Sequence, residues 1–407
     1  MRINTTKLID YLLVYLLIAF SGIPFFYRAR VEVLMVGLLL ALAVFIYRQK
    51  QVDKLFVGYL VVVLIIQAGQ MLKFYYLPLT SFLGLHIRLV FAYLILRSVG
   101  TKLPAYVVTI LSVSVLISWI FYFPSYFASF ESFLTNKITP LFEHPFYKVS
   151  NYKVPDNLIV YTANTKGESI GWLKRNAGPF WEPGAFAGFI MVALLFNSII
   201  SGRLFNPKGV ILMAGLMSTF STAGLVVLGL FILVHLWLRS GMLKRVLLIP
   251  VLFIGFVFLY NEVDFIGAKI HSKMSYTAGT YNTRFKSAQK DLQDLSRSPL
   301  VGLGQSKETR FDGKTDKRTI HRNNGVTNFM ASFGVLGFTL YFLLMYISFL
   351  RMCGYYGFDR RFALGALLIV LLIGFSEEYF SKVFFMALSM MAILFTSKNE
   401  LSNQRTS

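Results

Sequence analysis

Only one cysteine, Cys353, occurs in the 407 residues, so no intramolecular disulfide can form. Histidine is almost as scarce. His86, His144, His235, His271 and His321 are scattered along the chain, and neither an HExxH run nor a Cys/His ligand spacing joins any of them. A dedicated metal site is therefore not expected. Walker loops and dinucleotide fingerprints are missing as well, and no cofactor is expected. Acidic residues are few, 19 Asp and Glu against 40 Lys and Arg, which leaves a formal charge of +21. Charged residues of both signs make up only 14% of the chain.

Apolar sequence fills the space. Hydrophobic residues account for 56% and the mean hydropathy is +0.62. Runs of membrane length predict an all-α polytopic membrane protein in contact with the lipid bilayer. Twelve apolar spans are read near 9–26, 31–47, 55–72, 79–97, 103–124, 180–201, 208–220, 222–238, 243–260, 326–350, 361–377 and 379–397. The pair 208–220 and 222–238 is short, and Ser218–Gly224 separates it. The first run follows Arg2 and Lys7 and lacks a small-residue cleavage site, so it reads as a span and not as a cleaved signal.

Lys and Arg orient the set. With the N-terminus inside, the cytoplasmic segments carry Arg48, Lys50 and Lys54, then Arg97 and Lys102, Arg203 and Lys208, Arg239, Lys244 and Arg245, and Arg351, Arg360 and Arg361. Positive segments mark the inside, so both termini are expected to be cytoplasmic. Arg28, Arg30 and Lys73 are exceptions in short outer segments. The expected organisation is five spans over 1–124, a first outer loop over 125–179, four spans over 180–260, a second outer loop over 261–325, three spans over 326–397 and a tail over 398–407.

Part of the basic excess thus falls outside. In the second loop twelve basic residues face seven acidic ones, and in the first loop six face four. Long loops escape the positive-inside rule, so this charge is free to serve function. Within the second loop, Thr283–Ser296 lacks Gly and Pro and sets Phe285, Leu292 and Leu295 among charges. That pattern predicts a short amphipathic helix along the membrane surface. Ser298-Pro-Leu-Val-Gly-Leu-Gly304 stops it, and Lys307–Arg322 reads as a polar loop.

The candidate chemistry is concentrated in a few runs. Arg175-Asn-Ala-Gly-Pro-Phe-Trp-Glu-Pro-Gly184 places Glu182 beside Trp181 where a polar segment turns into an apolar helix. Pro183 suits the first helical turn, and the positive helix terminus favours an ionised Glu182. Such a carboxylate is either a cap or a functional group. Arg175, Arg284 and Arg88 are guanidinium groups near the membrane boundary or inside a span, suited to phosphate oxygens; a solvated helix face or a snorkelling side chain is the bland alternative. His321 suits a base or a phosphate donor, or is an ordinary loop residue. Asn323 and Asn324 either bind sugar hydroxyls or cap the following helix. Ser218–Gly224 either borders the same cavity or is a simple hairpin. Of Glu377 and Glu378, one is expected to contact the bundle and one water, with an ion pair to a loop base.

In order along the chain, the Arg175–Phe189 run, the Ser/Thr-rich turn at 218–224, Arg284-Phe285 with Pro299-Leu-Val-Gly-Leu-Gly304, and His321-Arg-Asn-Asn-Gly325 with Gly334-Val-Leu-Gly337 resemble the O-antigen polymerase and O-antigen ligase superfamily of bacterial inner-membrane glycosyltransferases. The resemblance covers roughly 160–390, and the branch it most resembles is the repeat-unit polymerases. It implies a membrane glycosyltransferase of the GT-C-like kind, acting on the periplasmic face on an undecaprenyl-diphosphate-linked oligosaccharide. The chain moves from one lipid diphosphate to the sugar of another, with no metal, no cofactor and no nucleic acid. A chain-length regulator is the partner the resemblance implies. Arg284 and Arg175, with Arg88, would neutralise the leaving diphosphate, and Glu182 and His321 compete for the acceptor proton. The alternatives are a ligase that moves glycan to lipid A core and a flippase for the same lipid.

Overall fold

The computed structural model of the chain describes residues 5–27, 31–142, 156–163, 173–239, 284–313 and 322–395. The expected span at 243–260, the first part of the second loop, His321 and the tail after 398 lie outside the described residues. The described residues are helical apart from short turns and one antiparallel pairing of Asp156–Asn157 with Thr162–Ala163. An apolar helix coincides with every other expected span.

Six described helical runs are long and apolar enough to cross a membrane: Thr5–Gly22, Lys54–Phe74, Leu79–Tyr126, Pro183–Ser201, Thr222–Arg239 and Gly325–Tyr356. The 48-residue run Leu79–Tyr126 would be roughly 72 Å long if straight, against a hydrocarbon core of about 30 Å. It is divided at Gly100, whose φ of +71° starts the 3₁₀ turn Gly100–Lys102 between the helices Leu79–Val99 and Leu103–Tyr122. Four apolar helices are shorter: Glu32–Tyr47, Pro207–Ser218, Phe362–Ser376 and Val383–Ile393. The last replaces the longer span expected at 379–397, because the linker after Ser376 stays non-helical up to Lys382.

The chain divides into two compact units, Met1–Arg48 with Arg97–Phe256, and Gln49–Leu96 with Val257–Ser407. In the first, Pro183–Ser201 is the central helix. Every residue from Ala185 to Ile199 is buried, as befits a helix apolar on all sides. Leu103–Tyr122, Pro207–Ser218 and Thr222–Arg239 pack around it. In the same unit, buried Asp10 accepts a 2.6 Å bond from Arg48. The same guanidinium donates to the Ser98 carbonyl, so this intramembrane acid is structurally paired.

The second unit is organised by Gly325–Tyr356, which packs against Phe362–Ser376, Arg284–Arg297 and Val383–Met390. It is not one straight span. Gly334 has φ +68° and ψ −177° inside it, which breaks the bonds that Val335 and Leu336 would donate one turn back. The run after the Arg284–Arg297 helix fills the break. Val335 and Leu336 N–H donate to the Pro299 and Leu300 carbonyls at 2.8 and 3.1 Å, and the freed Ala331 and Ser332 carbonyls accept from Leu303 and Gly304, both at 2.9 Å. The Gln70 amide adds bonds to the Val301 and Ser332 carbonyls. Gly302 and Gly334, both at positive φ, lie so close that a Cβ on either would overlap the other's backbone. Irregular backbone in an apolar setting persists only when protein groups satisfy it in this way.

Candidate functional site

The Arg175–Glu182 run forms a turn in the first unit. Asn176, fully buried, is its anchor. Its amide donates to the Ser118 and Ser218 hydroxyls at 2.9 and 3.0 Å, and its backbone N–H donates to the Ser218 carbonyl. Arg175 Nε donates to the Thr219 carbonyl at 3.3 Å. The Ser/Thr turn at 218–224 is therefore brought to the Arg175 segment and is more than a hairpin. Phe180 stacks on Phe186 and Phe189, which pins the chain as it enters the helix. Glu182 sits at the N-cap position in extended conformation, with Pro183 starting the helix, yet its side chain makes no capping bond. Trp181 and Glu182 are both half-buried.

Two acids and two arginines organise the loop face of the second unit. Asp291 is fully buried on the helix Arg284–Arg297. It accepts from Arg310 Nη2 at 2.8 Å, Arg322 Nε at 2.9 Å and the Thr327 hydroxyl at 2.6 Å. Asp294 accepts from Arg322 Nη2 at 2.9 Å. Burial raises the Asp291 carboxyl above its ordinary value, opposed by Arg310, the Thr327 hydroxyl and Arg322, and burial lowers Arg310. The expected polar loop from Lys307 to Arg322 is thus corrected at its described ends. Lys307–Phe311 is helical, and Arg310 and Arg322 are buried.

The expected amphipathic helix forms over Arg284–Arg297. Its polar stripe of Ser287 and Asp291 is the buried side. Phe285 and Leu292 remain 41% and 52% exposed. An unpaired buried carboxylate costs several kcal/mol, so the pairing of Asp291 with Arg310 and Arg322 fixes which side of the helix faces the protein.

An open cavity of about 260 Å³ lies beside this network. Arg310, Arg322, Asn328 and Glu378 are its polar wall, and Phe311, Phe329 and Phe380 its aromatic one. Glu378 Oε1 accepts from Asn328 Nδ2 at 2.8 Å. Glu378 is an exposed residue, yet the protein around its carboxyl partly desolvates it and raises it, with Lys382, Arg310 and Arg322 opposing and Asp291 assisting. Two sequence candidates hold the linker that carries Glu378. Arg284 Nε donates to the Ser376 carbonyl at 2.9 Å and Nη2 meets Glu377 at 3.2 Å. Arg88, within its span, donates to the Ser381 carbonyl at 3.1 Å and to Gly84 one turn back.

The remaining candidates divide similarly. Asn324 is the helix cap. It is fully buried, and its side-chain oxygen accepts from Val326 and Thr327 N–H, so of its two readings the cap describes it. Half-buried Asn323 donates its backbone N–H to Ser287. Arg175, Trp181 and Glu182 belong to the first unit, and Arg88, Arg284, Asn323 and Asn324 to the second. Sequence reasoning missed Asp291, Arg310 and Asn328 and gave Glu378 no role in a site. One signal was available: Ser287, Asp291 and Asp294 follow the i, i+4, i+7 spacing of a single helix face. Among the described residues no group of His, Cys, Asp and Glu is arranged to hold a metal ion. Comparisons with protein-family models, with curated proteins and with solved structures find no match to this chain.

Proposed function

We propose that this chain polymerises oligosaccharide repeat units carried on undecaprenyl diphosphate, at the periplasmic face of a bacterial inner membrane. The reading has twelve spans, both termini in the cytoplasm and the two long loops outside. The observation that carries it is the cavity at the loop face of the second unit. Buried arginines, an amide, a carboxyl and aromatic rings converge there, which is the mixture that orients a polyhydroxylated ligand. In the first unit, Arg175 and Glu182 offer a cation and an uncapped carboxylate to the lipid-linked substrate. Arg284 and Arg88 act through the linker they hold.

Glycosyl transfer between two lipid-linked glycans needs an acceptor hydroxyl to attack an anomeric carbon while the diphosphate leaves. The chain's own groups have to take the hydroxyl proton and stabilise the departing charge. The test is a deletion strain whose lipid-linked glycans are extracted and sized. The expected result is loss of polymer with a single repeat unit accumulating on the carrier. Normal polymer with no accumulating unit would overturn the reading, and full-length polymer stranded on the carrier would replace it with the ligase.

A further inference from the structure

The cavity of the second unit has a composition that selects among ligands. Arg310 and Arg322 bring two positive charges, and Asp291 and Asp294 meet them at 2.8 and 2.9 Å. Among the described residues of the wall both arginines are paired with acids, and a diphosphate would also approach the negative Glu378. A neutral polyol needs no net charge. It needs donors and acceptors, and the wall presents both kinds of residue in Arg310, Arg322, Asn328 and Glu378. Asn328 Oδ1 and Arg310 Nε are buried without a hydrogen-bond partner among the described residues. The nearest acid to Arg310 Nε, Asp294, is 3.7 Å away, beyond hydrogen-bond length. Asn328 Oδ1 and Arg310 Nε are both closed to a water-sized group, so a sugar hydroxyl, which both donates and accepts, meets the Glu378 carboxylate of the wall instead. Phe311, Phe329 and Phe380 offer apolar walls for the C–H side of a ring. At about 260 Å³, the cavity falls just below the range of roughly 300–1,000 Å³ for drug-sized ligands, a fit for one sugar ring and its substituents.

We propose that this cavity is the acceptor-sugar subsite and that Glu378 takes the proton from the attacking hydroxyl. The inference rests on the polymerase reading. In the step, the acceptor oxygen forms the new bond to the anomeric carbon of the donor. The bond from that carbon to the carrier diphosphate breaks, and its electron pair leaves on the diphosphate. The hydroxyl proton passes to the Glu378 carboxylate and then to water. Asn328 holds one carboxylate oxygen by its amide, which aims the group. Partial desolvation of the carboxyl, with Asp291, disfavours its ionised form, while Lys382, Arg310 and Arg322 favour it. A base whose pKa is moved towards the working pH is the more effective one.

The experiment uses purified full-length protein in lipid nanodiscs, with the lipid-linked repeat unit extracted from the deletion strain as donor and acceptor. Initial rates are followed from pH 5 to 9 for the wild type, Glu378→Gln, Glu378→Asp and Asn328→Ala. Glu378→Gln is expected to lower kcat about 10²–10⁴-fold with little change in KM. Glu378→Asp should keep measurable activity and move the acid limb of the pH profile. Asn328→Ala should weaken inhibition by the repeat-unit oligosaccharide freed from its carrier with mild acid, and leave inhibition by inorganic pyrophosphate unchanged. A Glu378→Gln rate within threefold of wild type, with the same pH profile, overturns the inference while the wild-type rate upholds the polymerase. Should Glu378→Gln not reach the membrane, an unmoved acid limb in Glu378→Asp overturns it instead. Absence of polymer formation by the wild type, together with no accumulating unit in the deletion strain, fails the polymerase reading and the inference with it.

Discussion

At the scale of single residues, the useful distinction is between charges that are spent on the fold and charges that are not. Asp291 is spent. Arg310, Arg322 and Thr327 surround it, and taking away one member of a buried ionic group costs about 3–5 kcal/mol. Asp291→Asn is therefore expected to lower the thermal unfolding midpoint of the detergent-solubilised protein and to reduce its yield in membranes. An unchanged midpoint would show that the pair contributes nothing net. Glu182 is not spent in this way, since it makes no capping bond. Glu182→Gln should leave expression and unfolding midpoint at wild-type values and still abolish long polymer on glycan gels. Full-length polymer from that variant would remove Glu182 from the mechanism.

At the scale of elements, two motifs far apart in sequence turn out to be halves of one joint. Pro299–Gly304 supplies the donors and acceptors that the helix Gly325–Tyr356 loses at Gly334. Only a residue without a Cβ fits there, because the φ is positive and the Leu300 carbonyl lies against the Cα. Gly334→Ala combines backbone strain of about 1–3 kcal/mol, its φ and ψ lying in a region open essentially to glycine alone, with a backbone clash. It should expose the Pro299–Gly304 segment to limited proteolysis while Gly229→Ala, at an open helical position, does not. Equal protection in both variants would argue against the joint. The same architecture explains the linker Ser376–Lys382. Arg284 at the helix C-terminus and Arg88 at Ser381 restrain its two ends, and Glu378 lies between them.

At the scale of the whole molecule, the proposed topology rests on the apolar runs and the distribution of Lys and Arg in the sequence. The sole cysteine is buried, so the chain is close to a cysteine-free background for labelling. Asp312 and Arg203 are both exposed and fall in segments assigned to opposite sides. A membrane-impermeant maleimide should label Asp312→Cys in spheroplasts and label Arg203→Cys only after lysis. The reverse pattern would invert the orientation, and labelling of both in spheroplasts would break the alternation of spans between them.

Much of this protein is legible in its sequence. Apolar runs of membrane length place the helices, since the cost of exposing or burying a whole run does not depend on its neighbours. Pro183 after Glu182, and the Gly- and Pro-free stretch ending near Arg297, place helix ends by local backbone chemistry alone. Tertiary structure decided the rest. Which face of the Arg284–Arg297 helix is buried depends on Arg310 and Arg322, partners 13 and 25 residues beyond its end. The break at Gly334 is tolerable only because Pro299–Gly304 is there to fill it. The placing of Asn328 and Glu378 in one wall of a cavity depends on two helices and a linker meeting in space. Hydropathy is a property of each stretch by itself, whereas the pairing of buried charges and backbone groups belongs to the contacts that folding creates.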